Sequence, residues 1–178
     1  MRFSGAWGVP ARSPAPNDKN SILAAQQAAG LTHKRLHVVP TRSMAQGLAA
    51  LLAVNPEDSI ESAIEAAEEA RTSVRTVEIT RAVRNTTIKG VKVGRGEAIA
   101  IVDGELTLGA DSTEDAVLDA LRDVATAETS LITLYYGAST GESQAASLAV
   151  KLRDRFPAHE VEVVYGGQPH YQYIVSVE

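Results

Sequence analysis

The spacing of apolar residues changes near residue 75 and divides the chain into two predicted regions. Before that point, apolar residues recur at the spacing of an amphipathic helix. This spacing predicts helices over residues 22–29, 44–54 and from residue 60 onward. A short apolar run, Leu36–Val39, ends at Pro40 and predicts a buried strand. We therefore expect an N-terminal α/β lobe over residues 17–75, after an irregular proline-rich leader over residues 1–16.

From Thr76 the apolar period becomes two, which indicates a half-buried strand. The residues expected on its inner face are Val77, Ile79, Arg81 and Val83. Further along the chain, Asp103–Gly104 separates two apolar runs. This pair predicts a hairpin with a type I′ turn, because both central positions of that turn need a positive φ.

The C-terminal part shows a strand, a helix and two further strands. We expect a strand at residues 131–136 and a helix at about 142–155, capped by Ser139–Thr140. A strand at residues 161–165 and a final strand are then joined by a tight turn at Gly166–Pro169. Residues 76–178 are thus expected to form a C-terminal α/β lobe with a hairpin. The predicted fold class is α/β, with two small lobes built on open mixed sheets.

Composition restricts the chemistry more than it restricts the fold. The chain has 178 residues, is 44% hydrophobic and carries a formal net charge of -5. It contains no cysteine, which excludes disulfides, thiolate nucleophiles and iron–sulfur clusters and is typical of a cytoplasmic protein. No apolar run approaches the ~18 residues of a membrane helix. The acidic balance, with no basic stripe interleaved with aromatics, argues against nucleic acid as the main partner.

Two polar loops precede predicted helices and form the first candidate binding site. Free amides at a helix N-terminus, together with Lys19 and Arg42, favour an anion. The alternative is simple helix capping beside two surface cations. The candidate residues are Asn17, Lys19, Asn20, Thr41, Arg42, Ser43 and Gln46.

A second candidate surface lies between the last two predicted strands. Its glycines free the backbone, its proline fixes it, and its Gln and Tyr side chains can be buried while hydrogen-bonded. A demanding turn and a partner-binding surface both account for this composition. The residues are Gly166, Gly167, Gln168, Pro169 and Tyr171. No catalytic residue and no metal site is predicted, because none of the four histidines has metal-ligand or triad spacing.

Four segments in this order resemble the C-terminal region of the dihydroxyacetone-kinase-like proteins, a family that includes the catalytic components of bacterial fatty acid kinase. The resemblance covers about residues 16–178. The segments are Pro16–Asn20, Val38–Gly47, Ile101–Gly104 and Tyr165–Pro169.

This resemblance implies a fold related to DegV proteins and to the substrate domain of dihydroxyacetone kinase. It further implies a non-catalytic domain that binds a DegV-type fatty-acid-carrier protein while a separate domain, holding ATP and magnesium, forms acyl phosphate for phospholipid synthesis. No family catalytic residue has a counterpart in this chain, so we expect it to carry no cofactor itself. Two alternatives stay open: the substrate-binding component of a dihydroxyacetone-type kinase, and a stand-alone acyl- or lipid-binding module.

Overall fold

The computed structural model describes residues 19–31, 36–88 and 90–178. Contacts between residues divide the chain into two units, Met1–Val74 and Arg75–Glu178. Each unit is described by itself. Among the described residues, no helix combines the length and the apolar character needed to cross a membrane.

The described part of the first unit is helical. Its helices are α1 (Lys19–Leu31), α2 (Met44–Ala53) and α3 (Ile60–Ser73). Helices α2 and α3 pack against each other through small side chains, which allow a close approach of the two backbones. The buried alanines of this interface are Ala45, Ala50, Ala63 and Ala67.

Two expectations for this unit are wrong. Helix α1 begins at Lys19 and continues through Gly30 to Leu31, so Gly30 does not end it. The segment Leu36–Val39 lies outside any strand. A strand is defined by its ladder of hydrogen bonds, and the described residues of this unit supply no neighbouring strand for it.

The second unit is a six-stranded mixed sheet with two helices and a separate two-stranded hairpin. Its strands are β1 (Arg75–Arg81), β2 (Thr86–Ile88), β3 (Val91–Val93), β4 (Ala98–Val102), β5 (Glu105–Ala110), β6 (Leu131–Tyr136), β7 (Glu160–Tyr165) and β8 (Tyr173–Val177). The helices are α4 (Thr113–Leu121) and α5 (Glu142–Arg155). The sheet order is β5-β4-β1-β8-β6-β7, and β2 pairs with β3. The open mixed sheet confirms the predicted α/β class.

Helices α4 and α5 cover one face of the six-stranded sheet and form its core. Alternation along β1 places Val77 and Ile79 in this core, as predicted. The predictions for Arg81 and Val83 are wrong, because Arg81 is exposed and the Val83 side chain is 85% exposed. The strand ends at Arg81, so Ala82 turns inward instead, and the two-residue period does not extend to Val83.

The predicted hairpin at Asp103–Gly104 is confirmed. It joins β4 to β5, with φ of 50° at Asp103 and 80° at Gly104, as a type I′ turn requires. The Asp103 carboxylate accepts hydrogen bonds from the Thr76 amide and the Arg75 guanidinium. The turn therefore also fixes the start of β1.

The last two strands do not form a hairpin. Strand β8 lies between β1 and β6 and is antiparallel to both, whereas β7 is parallel to β6 at the edge of the sheet. The chain between β7 and β8 must therefore pass the carboxyl end of β6. Residues 166–172, called the crossing loop below, make this passage.

Candidate functional site

In the first candidate site, a helix-capping network connects Arg42, Ser43 and Gln46. The Ser43 hydroxyl accepts a hydrogen bond from the Gln46 amide at 3.1 Å, and the Gln46 side-chain oxygen accepts one from the Arg42 amide at 2.9 Å. The Gln46 side-chain nitrogen donates to the Val74 carbonyl at 3.3 Å. Ser43 and Gln46 are both buried, and Arg42 is exposed. The capping alternative therefore accounts for these contacts, and anion binding stays a prediction.

The other members of that site are only partly described. Asn17 lies outside the described residues, and Lys19 and Asn20 begin α1 with side chains outside the described part. Thr41 is 2% exposed, and its hydroxyl oxygen has no hydrogen-bond partner within the described structure. The structure thus brings together Thr41, Arg42, Ser43 and Gln46.

Helix α2 carries an exposed apolar surface that the sequence interpretation missed. Met44, Leu48, Leu51 and Leu52 are exposed by 50%, 48%, 38% and 76%. Their spacing of four, seven and eight residues puts them on one face of the helix. Ala45 and Ala50 of the same helix are buried. We call these four exposed residues the α2 stripe; their spacing is a signal that could have revealed it.

The second candidate surface is held in place by main-chain hydrogen bonds across the end of β6. Gly166 donates to the Tyr136 carbonyl at 3.0 Å, and Ala138 donates to the Gln168 carbonyl at 3.1 Å. The Gln168 side chain donates to the Tyr135 carbonyl at 3.0 Å. The crossing loop is therefore fastened to β6 from both sides, and Gln168 contributes to that attachment.

Gly137 is where the crossing loop comes nearest to β6. A Cβ at this position would lie 2.1 Å from the Tyr171 carbonyl oxygen and 2.7 Å from the Gln168 carbonyl oxygen. Its amide donates to the Gln172 carbonyl at 2.9 Å. Only glycine allows this approach of two backbones.

An aromatic pair, in which Tyr136 is half-buried and Tyr165 is exposed, lies beside the crossing loop. The rings of Tyr136 and Tyr165 lie 5.2 Å apart in a tilted arrangement, and Tyr165 is 64% exposed. Gly167, at φ 67°, lies directly beside the Tyr165 ring. Pro169 is exposed, whereas Tyr171 is half-buried. Tyr165 is thus the more exposed tyrosine of this surface, although the sequence interpretation selected Tyr171.

A half-buried carboxyl group lies on the sheet face opposite the helices. Glu78 alternates with the core residues Val77 and Ile79, and its cross-strand neighbours are Ile101 and Ile174. Burial raises the pKa of Glu78 above its ordinary range. Burial, and then the charge of Glu78, raise the pKa of Tyr171. The protonated form of Glu78 is therefore favoured by the fold.

We expect Glu78→Gln to stabilise the second unit at neutral pH. Because the pKa of Glu78 is raised by folding, the folded state binds its proton more tightly than the unfolded state does. The ionised carboxylate therefore costs stability at neutral pH, and this cost disappears as the pH falls through the folded-state pKa. At about pH 7, urea unfolding should give a higher free energy of unfolding for the variant than for the wild type. At about pH 5, the difference between the two proteins should be smaller.

The exposed Glu162 of β7 provides the matched control for this measurement. Glu162→Gln removes the same charge without removing a half-buried carboxylate. A pH-independent difference between Glu78→Gln and the wild type would contradict the assignment to Glu78.

The described histidines make isolated contacts. His37 lies 3.4 Å from the Glu68 carboxylate, and His159 is hydrogen-bonded to the Thr129 hydroxyl at 2.9 Å. Within the described ranges, no group of three or more His, Cys, Asp and Glu side chains could hold a metal ion.

Solved structures with the same fold belong to the DegV family. A DegV family protein from Corynebacterium glutamicum superimposes with a TM-score of 0.58 at 18% identity, covering 87% of this chain and 68% of that one. The Streptococcus pneumoniae fatty acid kinase B3 protein, solved with linoleic acid, superimposes with a TM-score of 0.54 at 15% identity, covering 89% and 66%. At this identity the likeness establishes the fold.

Sequence relatives establish the family. Protein YloV of Bacillus subtilis is 31% identical over 163 residues, and protein SH1689 of Staphylococcus haemolyticus is 32% identical over 163 residues. Each match covers 92% of this chain but only 30% of the relative. Residues 15–178 match the FakA-like C-terminal family, where FakA denotes a fatty acid kinase protein. The chain therefore belongs to the C-terminal family of FakA-like fatty acid kinase proteins.

Proposed function

We propose that this chain is a non-catalytic domain of a fatty acid kinase and that it binds a DegV-type fatty-acid-carrier protein in the cytoplasm. The observation that carries the docking role is the α2 stripe, and family membership supplies the kinase context. ATP and magnesium belong, in this proposal, to a separate kinase domain. The carrier would present the acid for acyl phosphate formation, which supplies phospholipid synthesis.

The α2 stripe has the features of a protein-binding surface. Its four large apolar side chains lie side by side on one helix face, while Ala45, Gln46 and Ala50 of the same helix are buried. Contiguous exposed apolar patches of this kind mark interaction sites in proteins. The exposed Arg42 lies just before the N-terminus of α2 and adds a charged residue at one end of the stripe.

The exposed Tyr165 of the aromatic pair offers a second surface that supports a docking role. Tyrosine is enriched at protein interfaces because its ring is apolar and its hydroxyl group is polar. Tyr165 is held by its neighbours Tyr136 and Gly167, so its ring would lose little conformational entropy on binding. The two surfaces lie in different units.

We expect Leu48→Gln combined with Leu52→Gln to weaken carrier binding by at least about tenfold. Glutamine keeps the length and helix propensity of leucine but removes the apolar surface that binding would bury. Isothermal titration calorimetry of the full chain with a DegV-type protein loaded with a fatty acid measures the effect.

Leu23→Gln with Leu31→Gln is the matched control, because both leucines are exposed on α1. Unchanged carrier binding by this control, together with weaker carrier binding by the α2 variant, supports the α2 stripe as the binding surface. Equal losses in both variants would contradict a specific role for the stripe. Absence of any binding by the wild-type chain would overturn the carrier-binding function.

A further inference from the structure

The connection between β1 and β4 concentrates positive charge in an otherwise acidic chain. Five of the 17 Lys and Arg residues lie between residues 81 and 95, and that segment contains no Asp or Glu. The chain as a whole has a net charge of -5. We call residues 81–97 the basic hairpin. The five cations are Arg81, Arg84, Lys89, Lys92 and Arg95, of which Lys89 lies outside the described residues.

The basic hairpin is a two-stranded ribbon separate from the main sheet. Val93 is 2% exposed and packs with Ala82 and Ile99, so one face of the ribbon is fixed to the fold. Lys92 precedes Val93 in β3 and therefore points to the opposite face, where it is exposed across from Thr87. The fold thus holds the ribbon in place and presents Lys92 outward.

Arg81 and Arg95 lie at the base of the hairpin. The Arg95 amide donates to the Asn85 side chain at 2.9 Å, and the Arg81 guanidinium donates to the Gly96 carbonyl at 2.8 Å. Asn85 and Lys92 also line one shallow depression. The Arg81 guanidinium therefore lies beside the main chain that carries Arg95, and Lys92 shares a depression with Asn85.

These charges are not neutralised by nearby acids. Over the described ranges, Arg84, Lys92 and Arg95 form no ion pair. The nearest acid in sequence, Glu97, accepts a hydrogen bond from the Gly94 amide at 2.8 Å. The described cations of the hairpin are therefore exposed, and they outnumber its single carboxylate, Glu97.

One exposed apolar side chain accompanies these cations. Val83 is 85% exposed and lies between Arg81 and Arg84, just beyond the end of β1. An exposed aliphatic residue flanked by arginines is suited to the boundary between lipid headgroups and acyl chains, where the cations meet phosphates and the aliphatic group meets hydrocarbon.

We propose that the basic hairpin docks this domain on the surface of an anionic lipid bilayer. Nucleic acid is disfavoured because residues 81–97 contain no aromatic side chain on which a base could stack. A protein partner is disfavoured because the segment lacks the aromatic and methionine anchors typical of the centre of such interfaces. Exposed cations accompanied by the exposed aliphatic Val83 match an anionic bilayer, whose attraction depends on charge.

The test is sedimentation of the full chain with vesicles. We expect binding to vesicles made of equal parts phosphatidylglycerol and phosphatidylcholine, and none to vesicles of phosphatidylcholine alone. Lys92→Gln with Arg95→Gln should weaken binding by roughly 25-fold, because each basic residue near an anionic surface contributes about fivefold. Raised salt should release the chain by screening the same charges.

Arg122→Gln with Arg155→Gln is the matched control, since it removes two positive charges from the exposed ends of α4 and α5. Vesicle binding that survives in this control and falls in the hairpin variant supports the proposal. Equal binding to both vesicle types, or equal losses in both variants, would overturn it. The proposal would also be overturned if the chain bound polyglutamate or RNA through Lys92 and Arg95 but did not bind vesicles. The carrier titration contains no lipid bilayer. Its failure would therefore overturn the proposed carrier binding without changing the result of the vesicle experiment.

Discussion

Gly137→Ala is expected to destabilise the second unit by about 3 kcal/mol. The added methyl group would lie 2.1 Å from the Tyr171 carbonyl oxygen and 2.7 Å from the Gln168 carbonyl oxygen. Both neighbours are backbone atoms, so no side chain can rotate away to make room. Relief requires moving the crossing loop, which breaks the hydrogen bonds that Gly137 and Ala138 donate to it.

Urea unfolding followed by tyrosine fluorescence measures this effect in the right unit, because all five tyrosines lie between Tyr135 and Tyr173. Gly141→Ala is the control in the same connection after β6. There the nearest atoms to the new Cβ are 3.7 Å and 3.9 Å away, and φ is -75°, so we expect a cost below about 1 kcal/mol. Similar losses in the two variants would show that the close approach at Gly137 is not the cause.

The need for glycine at residue 137 illustrates what the sequence could not predict. The local pattern correctly predicted helix α5 at Glu142–Arg155, because apolar spacing and the following Pro157 are encoded in adjacent residues. Its start at Glu142 was also predicted, but its cap was misassigned: Ser139–Thr140 does not cap it, and Gly141 is the capping residue. The order of strands depends on long-range pairing, and the placement of β8 between β1 and β6 turned a predicted tight turn into the crossing loop.

The candidate surfaces show the same division between local and long-range information. The hydroxyl of Ser43 caps α2, which follows from its position before an apolar helix. The burial of the leucines of that helix depends on which neighbouring element packs on them. Helix α3 packs on α2, yet the leucines of α2 stay exposed while two of its alanines are buried. Val83 was misassigned because β1 ends two residues before it. Periodicity therefore identified the elements, while partner choice decided which faces stayed exposed.

Leu152→Ala is expected to cost the second unit about 3 kcal/mol, comparable to the effect at Gly137. Leu152 is fully buried on the inner face of α5, in the core that the helices form with the sheet. The chain has few aromatic residues, so this core consists mainly of Ala, Val, Leu and Ile. Because such a core is closely packed, removing the leucine side chain leaves a cavity that its neighbours fill incompletely.

A variant at the neighbouring Val150 distinguishes the effect of cavity formation on stability from the effect of a changed helix propensity. It lies on the same helix and is 54% exposed, so Val150→Ala should change stability by less than about 0.5 kcal/mol. Tyrosine-monitored urea unfolding compares both variants with the wild-type chain. A loss at Leu152 no larger than that at Val150 would mean that α5 does not pack on the sheet in solution. In that case a packed α5 would no longer hold the end of the connection that leads from β6 through Gly137.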